Sequence, residues 1–322
     1  MADQPPESSD QVGALGEFGV IRRVTAGRAP GRATLLGPGD DAAVVVAADG
    51  RVVVCTDVLV EGVHFRLAWS TPQQVGRKAV AANLADVAAM GAVPTAVVVG
   101  LGCPPSTPVA TVDGLAAGLW EEAGTVGIGV VGGDVVSAEQ VVLSVTALGD
   151  LQGRDPVTRS GARPGDVLAI CGRIGWAAAG LAVLSRGFRS PVAVVGAHRV
   201  PEPPYAAGPQ AAVAGATAMI DVSDGLLADA AHVAAASGVG IDVTSAAVPL
   251  PQRLVDVASA LGADPLHWVL TGGEDHALLA AFPPVAAPPE GWTVIGEVRE
   301  GEGVLVDGRP YEGPAGWDHF PR

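Results

Sequence analysis

Apolar runs in this chain break repeatedly on an aspartate: Asp41 in GPGDDAAVVV, Asp57 in VVVCTD, Asp86 in NLADVAAMGA, Asp134 in VVGGD, and Asp221 and Asp224 in AMIDVSDG. A fold that sets these carboxylates at strand ends and beside glycine turns must pair them, because desolvating an unpaired carboxylate is costly. No His/Cys cluster accompanies them, so ligation by oxygen alone points to Mg2+ or a similar hard ion. Divalent ions held by scattered carboxylates commonly present phosphates, and the pattern points to phosphoryl chemistry.

The surrounding sequence limits the alternatives. A net charge of −15 argues against a nucleic-acid partner, since a phosphate backbone requires a basic surface. An acidic chain that binds anionic phosphates must take positive charge from elsewhere, and bound metal is the simplest source. The longest uncharged stretch, Val87 to Val112, is interrupted by Pro94, Pro104, Pro105 and Pro108, which leaves no membrane span. The opening MADQPPESSD is acidic and proline-bearing, unlike a secretory leader, and residues 1–12 read as a disordered tail. Cys55, Cys103 and Cys171 are far apart and read as free thiols in a reducing cytoplasm.

With 322 residues, 49% of them hydrophobic and mostly Ala and Val, the chain can build two domains. Valine runs at 42–47 and 51–56 flank Ala48-Asp49-Gly50 and predict a hairpin. Thr71-Pro72 starts a helix that Gly91 and Pro94 end, over about 72–90, with Asn83 and Asp86 on one face. Strands at 95–101, 127–131 and 141–148 and a helix at about 108–124 complete the first half. Residues 148–164 read as the linker, giving domains at 13–150 and 151–322. The second half alternates strands near 166–171, 217–221, 240–244, 276–282, 292–296 and 303–306 with helices near 175–186, 208–215, 225–237 and 251–262. Adjacent hairpins among helices predict an α+β class, mixed sheets with helices packed on one face, over a strictly alternating doubly wound fold.

Two familiar nucleotide motifs fail. Gly127, Gly129 and Gly132 spell G-x-G-x-x-G, but valines separate them and a strand follows where a helix should open. No Walker A loop exists, and the sole lysine is Lys78. GPGDD alone reads as a solvated glycine turn. Its company changes that reading: Glu61-Gly62-Val63-His64-Phe65, Gly132-Gly133-Asp134, Asp221-Val222-Ser223-Asp224-Gly225 and Gly272-Gly273-Glu274-Asp275 are further acidic glycine turns. A helix opening near Gly225 offers free N–H groups to an anion. Arg77 and Lys78 either reach phosphates or solvate their helix. His198, His232, His267 and His276 join no constellation and default to surface or packing roles.

In order along the chain, GEFGVI (16–21), GDDAA (39–43), TDVLVEGVHF (56–65), GRKAVAANLADVAAMGA (76–92), VVGGD (130–134), TRSGARPGD (158–166), IDVSDGLLAD (220–229), TGGEDHALL (271–279) and GWDHF (316–320) resemble the thiamine-monophosphate kinases. These belong to the superfamily of aminoimidazole ribonucleotide synthetase and selenophosphate synthetase. The resemblance spans nearly the whole chain and implies transfer of the γ-phosphoryl of ATP to thiamine monophosphate, giving thiamine diphosphate and ADP. It implies two α/β domains and a homodimer paired through the N-terminal sheets. By match of motif, Asp41, Thr56, Asp57, Asp86, Asp134, Asp221 and Asp224 would ligate several Mg2+ ions. Gly133, Asp134, Arg159 and Ser223 would meet ATP, and His64, Glu274 and Trp317 would meet thiamine monophosphate.

The attacking phosphate oxygen is already ionised at neutral pH, so no side chain is expected to act as general base, and catalysis reduces to alignment and charge neutralisation. The aspartates fall into two sets, four from the first half and two from the second, which would place the phosphates between the domains. One departure stands out: the family usually has Ser or Thr before the Thr-Asp pair, and here it is Cys55, a poor ligand for Mg2+. A sister synthetase activity fits less well, since GWDHF has no place in either sister and no early reactive Cys suits selenophosphate synthesis. A non-catalytic binding protein would have lost carboxylates that are all present.

Overall fold

The structure is a computed structural model and describes residues 11–38 and 43–317. Asp41, residues 1–10 of the tail and residues 318–320 of the last motif lie outside the described residues. The chain divides into two compact units: residues up to Asn83 with Pro94–Asp150, and Leu84–Val93 with Leu151 onward.

The first unit contains α1 (Val12–Thr25), β1 (Thr34–Leu36), β2 (Val44–Val45), β3 (Val53–Val60), most of α2 (Pro72–Ala89), β4 (Val93–Cys103), α3 (Val109–Thr125), β5 (Val130–Ser137) and β6 (Val142–Asp150). Helix α2 starts as its sequence predicts: the Thr71 hydroxyl accepts from Gln74 N at 3.3 Å and Gln74 Oε1 accepts from Thr71 N at 2.9 Å, a reciprocal capping box. Four strands form one sheet in the order β3-β6-β4-β5. β4 and β5 are parallel and joined through α3, while β3 and β6 are antiparallel with Asp57 opposite Val145. The scarcity of large residues has a packing reason. A Cβ on Gly118 would sit 1.9 Å from the Gln73 carbonyl oxygen and one on Gly76 would sit 2.1 Å from that of Leu115, so α2 and α3 touch backbone to backbone.

The hairpin expected at 42–56 is not formed. The turn is present, with Gly50 N donating to Ala47 O at 3.0 Å, but β2 pairs with β1 and β3 pairs with β6. The physical reason is register: β6 satisfies β3 from Val53↔Gly149 to Val60↔Val142, whereas β2 offers only two residues.

The second unit contains β7 (Val167–Cys171), α4 (Trp176–Ser185), α5 (Val192–Arg199), α6 (Ala207–Val213), β8 (Ala218–Val222), α7 (Leu226–Ser237), β9 (Gly240–Val243), α8 (Gln252–Leu261), α9 (Pro265–Thr271), β10 (Ala277–Phe282), β11 (Trp292–Arg299), β12 (Gly303–Val306) and β13 (Arg309–Pro310). Its seven-stranded sheet runs β13-β12-β9-β11-β7-β10-β8, mixed because β12 joins β9 in parallel while the other pairs are antiparallel. The α+β class read from the sequence is the one found. Strands β12 and β13 form a hairpin: Asp307 (φ 51°) and Gly308 (φ 75°) take the left-handed conformation that a two-residue turn needs between them.

Strands β8 and β10 are buried at every position, so their side chains face packing on both sides and read as continuous apolar runs. The end of α2 belongs to this core: Ala88 and Ala89 pack with Ala207, Ala211, Met219, Leu278 and Phe282. The sequence reading did not include α1, α5 and α9. Gly16 (φ 66°) interrupts α1, and the valines of α5 resemble a strand. Helix α9 has only seven residues, though it carried a signal in Asp264, whose carboxylate accepts from Leu266 N at 2.9 Å ahead of Pro265.

Candidate active site

Strand β3 alternates, so Cys55 and Asp57 face one side and Thr56 the other. On the α2 side the fully buried Asn83 serves both. The Cys55 thiol donates to the Asn83 carbonyl at 3.3 Å, and Asp57 N donates to Asn83 Oδ1 at 3.1 Å. Asn83 is itself fixed by donating to Ala79 O at 3.0 Å. The Thr56 hydroxyl instead donates to Val145 O at 3.0 Å and accepts from Thr146 at 3.1 Å, on the face away from the Asp57 side chain.

His64 closes the loop after β3. Val60 N donates to its Nδ1 at 3.0 Å, so the neutral ring carries its proton on Nε2. The buried Lys78 donates to the His64 carbonyl at 3.0 Å, which gives the sole lysine a structural partner inside its own unit. Gly133 and Asp134 lie exposed on β5, the opposite edge of the sheet from β3. A Cβ on Gly133 would meet Val99 O at 2.0 Å, so the glycine there serves the approach of β5 to β4. Gly132 lies within β5 with no helix opening after it, in keeping with the rejection of the dinucleotide motif.

In the second unit two loops are pressed together. Glu274 N donates to Ser223 O at 2.7 Å, and His276 N donates to Val222 O at 3.0 Å. A Cβ on Gly273 would lie 2.3 Å from Ser223 O, and one on Gly225 would lie 2.5 Å from Thr271 O. The C-terminal segment joins them, Trp317 N donating to Asp224 O at 2.9 Å while 60% of the residue stays exposed. Ser223, Asp224, Glu274 and Trp317, taken from three separate motifs, are therefore gathered at one place. Glu274 also faces His198, with Oε2 3.3 Å from Nδ1. Arg159 is exposed and anchored through its carbonyl, which accepts from the Ser237 hydroxyl at 2.9 Å.

Charge is crowded here. Asp221 is buried in β8, Asp86 lies partly buried on α2, and Asp229, in the first turn of α7, is also buried. Asp229 Oδ2 accepts from Asp224 N at 3.0 Å and Gly225 N at 3.1 Å. Burial first, and the Asp221 carboxylate second, still push its pKa up to about 7 against those hydrogen bonds. Asp224, Asp229 and His232 bring one ligand atom each within 4.8 Å of one another. Two carboxylates and an imidazole within this reach suit a divalent cation, whose charge would favour the ionised form of Asp229 against its burial. Sequence reading assigned Asp229 no role and His232 a surface or packing one, and His232 is indeed exposed; their i, i+3 spacing on α7 is the signal that links the two.

Asp275, between Glu274 and His276, is enclosed and accepts from Ala177 N at 2.9 Å with Oδ1 at the start of α4. Burial is the main reason its pKa is pushed up to about 7.

Comparison with known proteins agrees across the chain. The family model for the AIR synthase related protein N-terminal domain matches residues 39–151, and that for the C-terminal domain matches residues 163–307. A thiamine-monophosphate kinase of Mycobacterium tuberculosis is 56% identical over 308 residues, covering 95% of this chain and 92% of that protein. One of Corynebacterium glutamicum is 42% identical over 320 residues, covering 96% of this chain and 95% of that protein. The solved structure of AaThiL complexed with AMPPCP and TMP superposes with a TM-score of 0.80 at 35% identity, over 95% of this chain and 98% of that one.

Proposed function

The chain belongs to the thiamine-monophosphate kinase family, within the AIR synthase related proteins, and from that premise we propose that it transfers the γ-phosphoryl of ATP to thiamine monophosphate. The products are thiamine diphosphate and ADP. The observation that supports this reading is the gathering of Ser223, Asp224, Glu274 and Trp317 around one pair of loops, since the first would serve the nucleotide and the last two thiamine monophosphate.

Asp41, Asp57, Asp86, Asp134, Asp221 and Asp224 would hold Mg2+ through carboxylates. Thr56 would contribute its backbone carbonyl, because its hydroxyl faces away from Asp57. Bound Mg2+ would neutralise the phosphates of both reactants. Gly133, Asp134, Arg159 and Ser223 take the ATP side, with exposed Arg159 able to reach phosphate oxygens. His64 offers its Nε2–H to thiamine monophosphate and Glu274 a carboxylate to its cationic heterocycle, while the exposed Trp317 ring supplies a stacking face. The attacking oxygen belongs to an ionised phosphate, so these residues align and exclude water and need remove no proton.

A homodimer suits the exposed face of edge strand β3, where Val54 and Val58 point outward beside Thr56. Three free cysteines suit a cytoplasmic setting. Among the described residues no helix is long and apolar enough to cross a membrane. The test is one assay with ATP, Mg2+ and thiamine monophosphate, following thiamine diphosphate directly. Product no greater than in a metal-free control would overturn the proposal.

A further inference from the structure

We propose that His276 is a positioning residue for the metal centre, orienting the Asp221 carboxylate toward its cation. The proposal rests on the phosphoryl-transfer reading above and adds a residue to it. Asp221 is 3% exposed and stands in a strand whose every residue is buried, so its carboxylate has few ways to be satisfied. His276, 8% exposed, places Nδ1 3.0 Å from Asp221 Oδ2. The carboxylate can only accept, so the ring contributes an Nδ1–H, and this bond fixes the rotation of both side chains. With Oδ2 engaged, Oδ1 is the oxygen presented to a cation, the arrangement in which a ligating carboxylate is held by an outer hydrogen bond.

The backbone is shaped for this contact. Glu274 (φ 68°) and His276 (φ 55°) are both left-handed without being glycine. That conformation turns the chain just before β10 pairs with β8 at Ala277↔Val222, and swings the imidazole back over Asp221. Asp86, on α2, acts electrostatically on the same ring. One imidazole thus lies under the influence of two of the carboxylates assigned to the metal, one from a helix and one from a strand. A histidine that only filled the core would need none of this.

The test uses the full chain freed of metal and titrated with Mn2+, free ion being read by electron paramagnetic resonance. His276→Phe is expected to weaken Mn2+ binding about 10–100-fold, while His276→Asn, whose amide N–H stands where Nδ1–H stands, stays within about threefold of the native protein. Native affinity in His276→Phe, or an Asn variant as impaired as the Phe variant, would overturn the proposal. Should His276→Phe not fold, the native protein decides: with 15N-labelled histidine, the His276 Nδ1 resonance is expected to shift on saturation with Mg2+, and an unmoved resonance refutes the role. Absence of thiamine diphosphate in the assay above would sink the kinase reading without altering either metal measurement.

Discussion

Lys78 Nζ donates to the carbonyl oxygen of His64 at 3.0 Å from a buried position on α2, so the chain's sole lysine fixes the loop that carries His64. A lysine followed by an aspartate-bearing helix face invites a phosphate-binding role; here the ammonium also holds the backbone of a loop. Removing it leaves a carbonyl without its charged donor, at a cost of about 1–3 kcal/mol. Lys78→Met is therefore expected to lower Tm by several degrees and to raise KM for thiamine monophosphate more than KM for ATP. A larger rise in KM for ATP would mean that Lys78 serves the nucleotide instead.

The thiol of Cys55 is engaged by the Asn83 carbonyl. A serine hydroxyl can make the same donation in nearly the same volume, so Cys55→Ser is expected to leave both Tm and the Mg2+ dependence of turnover close to native. Asp57→Asn, on the same face of β3, is expected to cut turnover by orders of magnitude with the fold retained. Steady-state rates against Mg2+ concentration, with a thermal melt of each variant, separate the two positions. A large gain in Mg2+ affinity from Cys55→Ser would show that the sulfur is felt at a metal site.

What the sequence could disclose follows from how each residue works. Asp57, Asp134, Asp221, Asp224 and Glu274 could be picked out as candidates because residue type and neighbouring glycines are visible in the sequence itself. Asn83, Lys78, His276 and Asp229 could not, because each acts by satisfying a partner that only the folded chain brings near. The same division holds for the fold. Helix α2 could be read from Thr71-Pro72 at one end and Gly91 at the other, both local signals. The partner of β3 could not, because its best register lies in β6, far along the chain, and a plausible turn at Asp49-Gly50 competes for attention without supplying strand length.

Gly273 offers a steric test of the two loops. A Cβ there would sit 2.3 Å from the Ser223 carbonyl oxygen, a backbone atom that cannot step aside cheaply. Gly273→Ala is expected to cost about 1–3 kcal/mol by forcing the loops apart. It should also raise KM for both substrates together, since Ser223 and Glu274 would shift at once. A melt and a pair of KM values check this; a change confined to one substrate would mean that the loops act separately.

Trp317 gives the opposite combination. Its backbone N–H is bonded to Asp224 O, yet the residue is 60% exposed, so truncating the ring removes little packing. Trp317→Ala is expected to leave Tm unchanged within about a degree and to raise KM for thiamine monophosphate roughly tenfold, the loss of a stacked cation worth about 1–2 kcal/mol. Trp317→Phe should recover part of it. An unchanged KM would remove the ring from the substrate site.

Asp275 makes stability depend on pH. Its folded pKa, pushed up to about 7 by burial, lies above the value of about 3.9 expected in the unfolded chain. Between these values the folded state binds more protons than the unfolded one, so this group's contribution is fully present below about pH 4 and is lost as pH rises through about 7. Asp275→Asn keeps an oxygen to accept from Ala177 N and cannot ionise. The variant is therefore expected to melt higher than the native protein at pH 8 and to differ little at pH 4.5, with a gain of at most a few kcal/mol. Asp229, raised in the same direction, leaves some of the slope in place. Melts of both proteins across that range decide it: a native Tm that falls with pH no faster than that of Asp275→Asn would mean that Asp275 is ionised in the folded state and held by its two backbone donors, Ala177 N and Gly175 N.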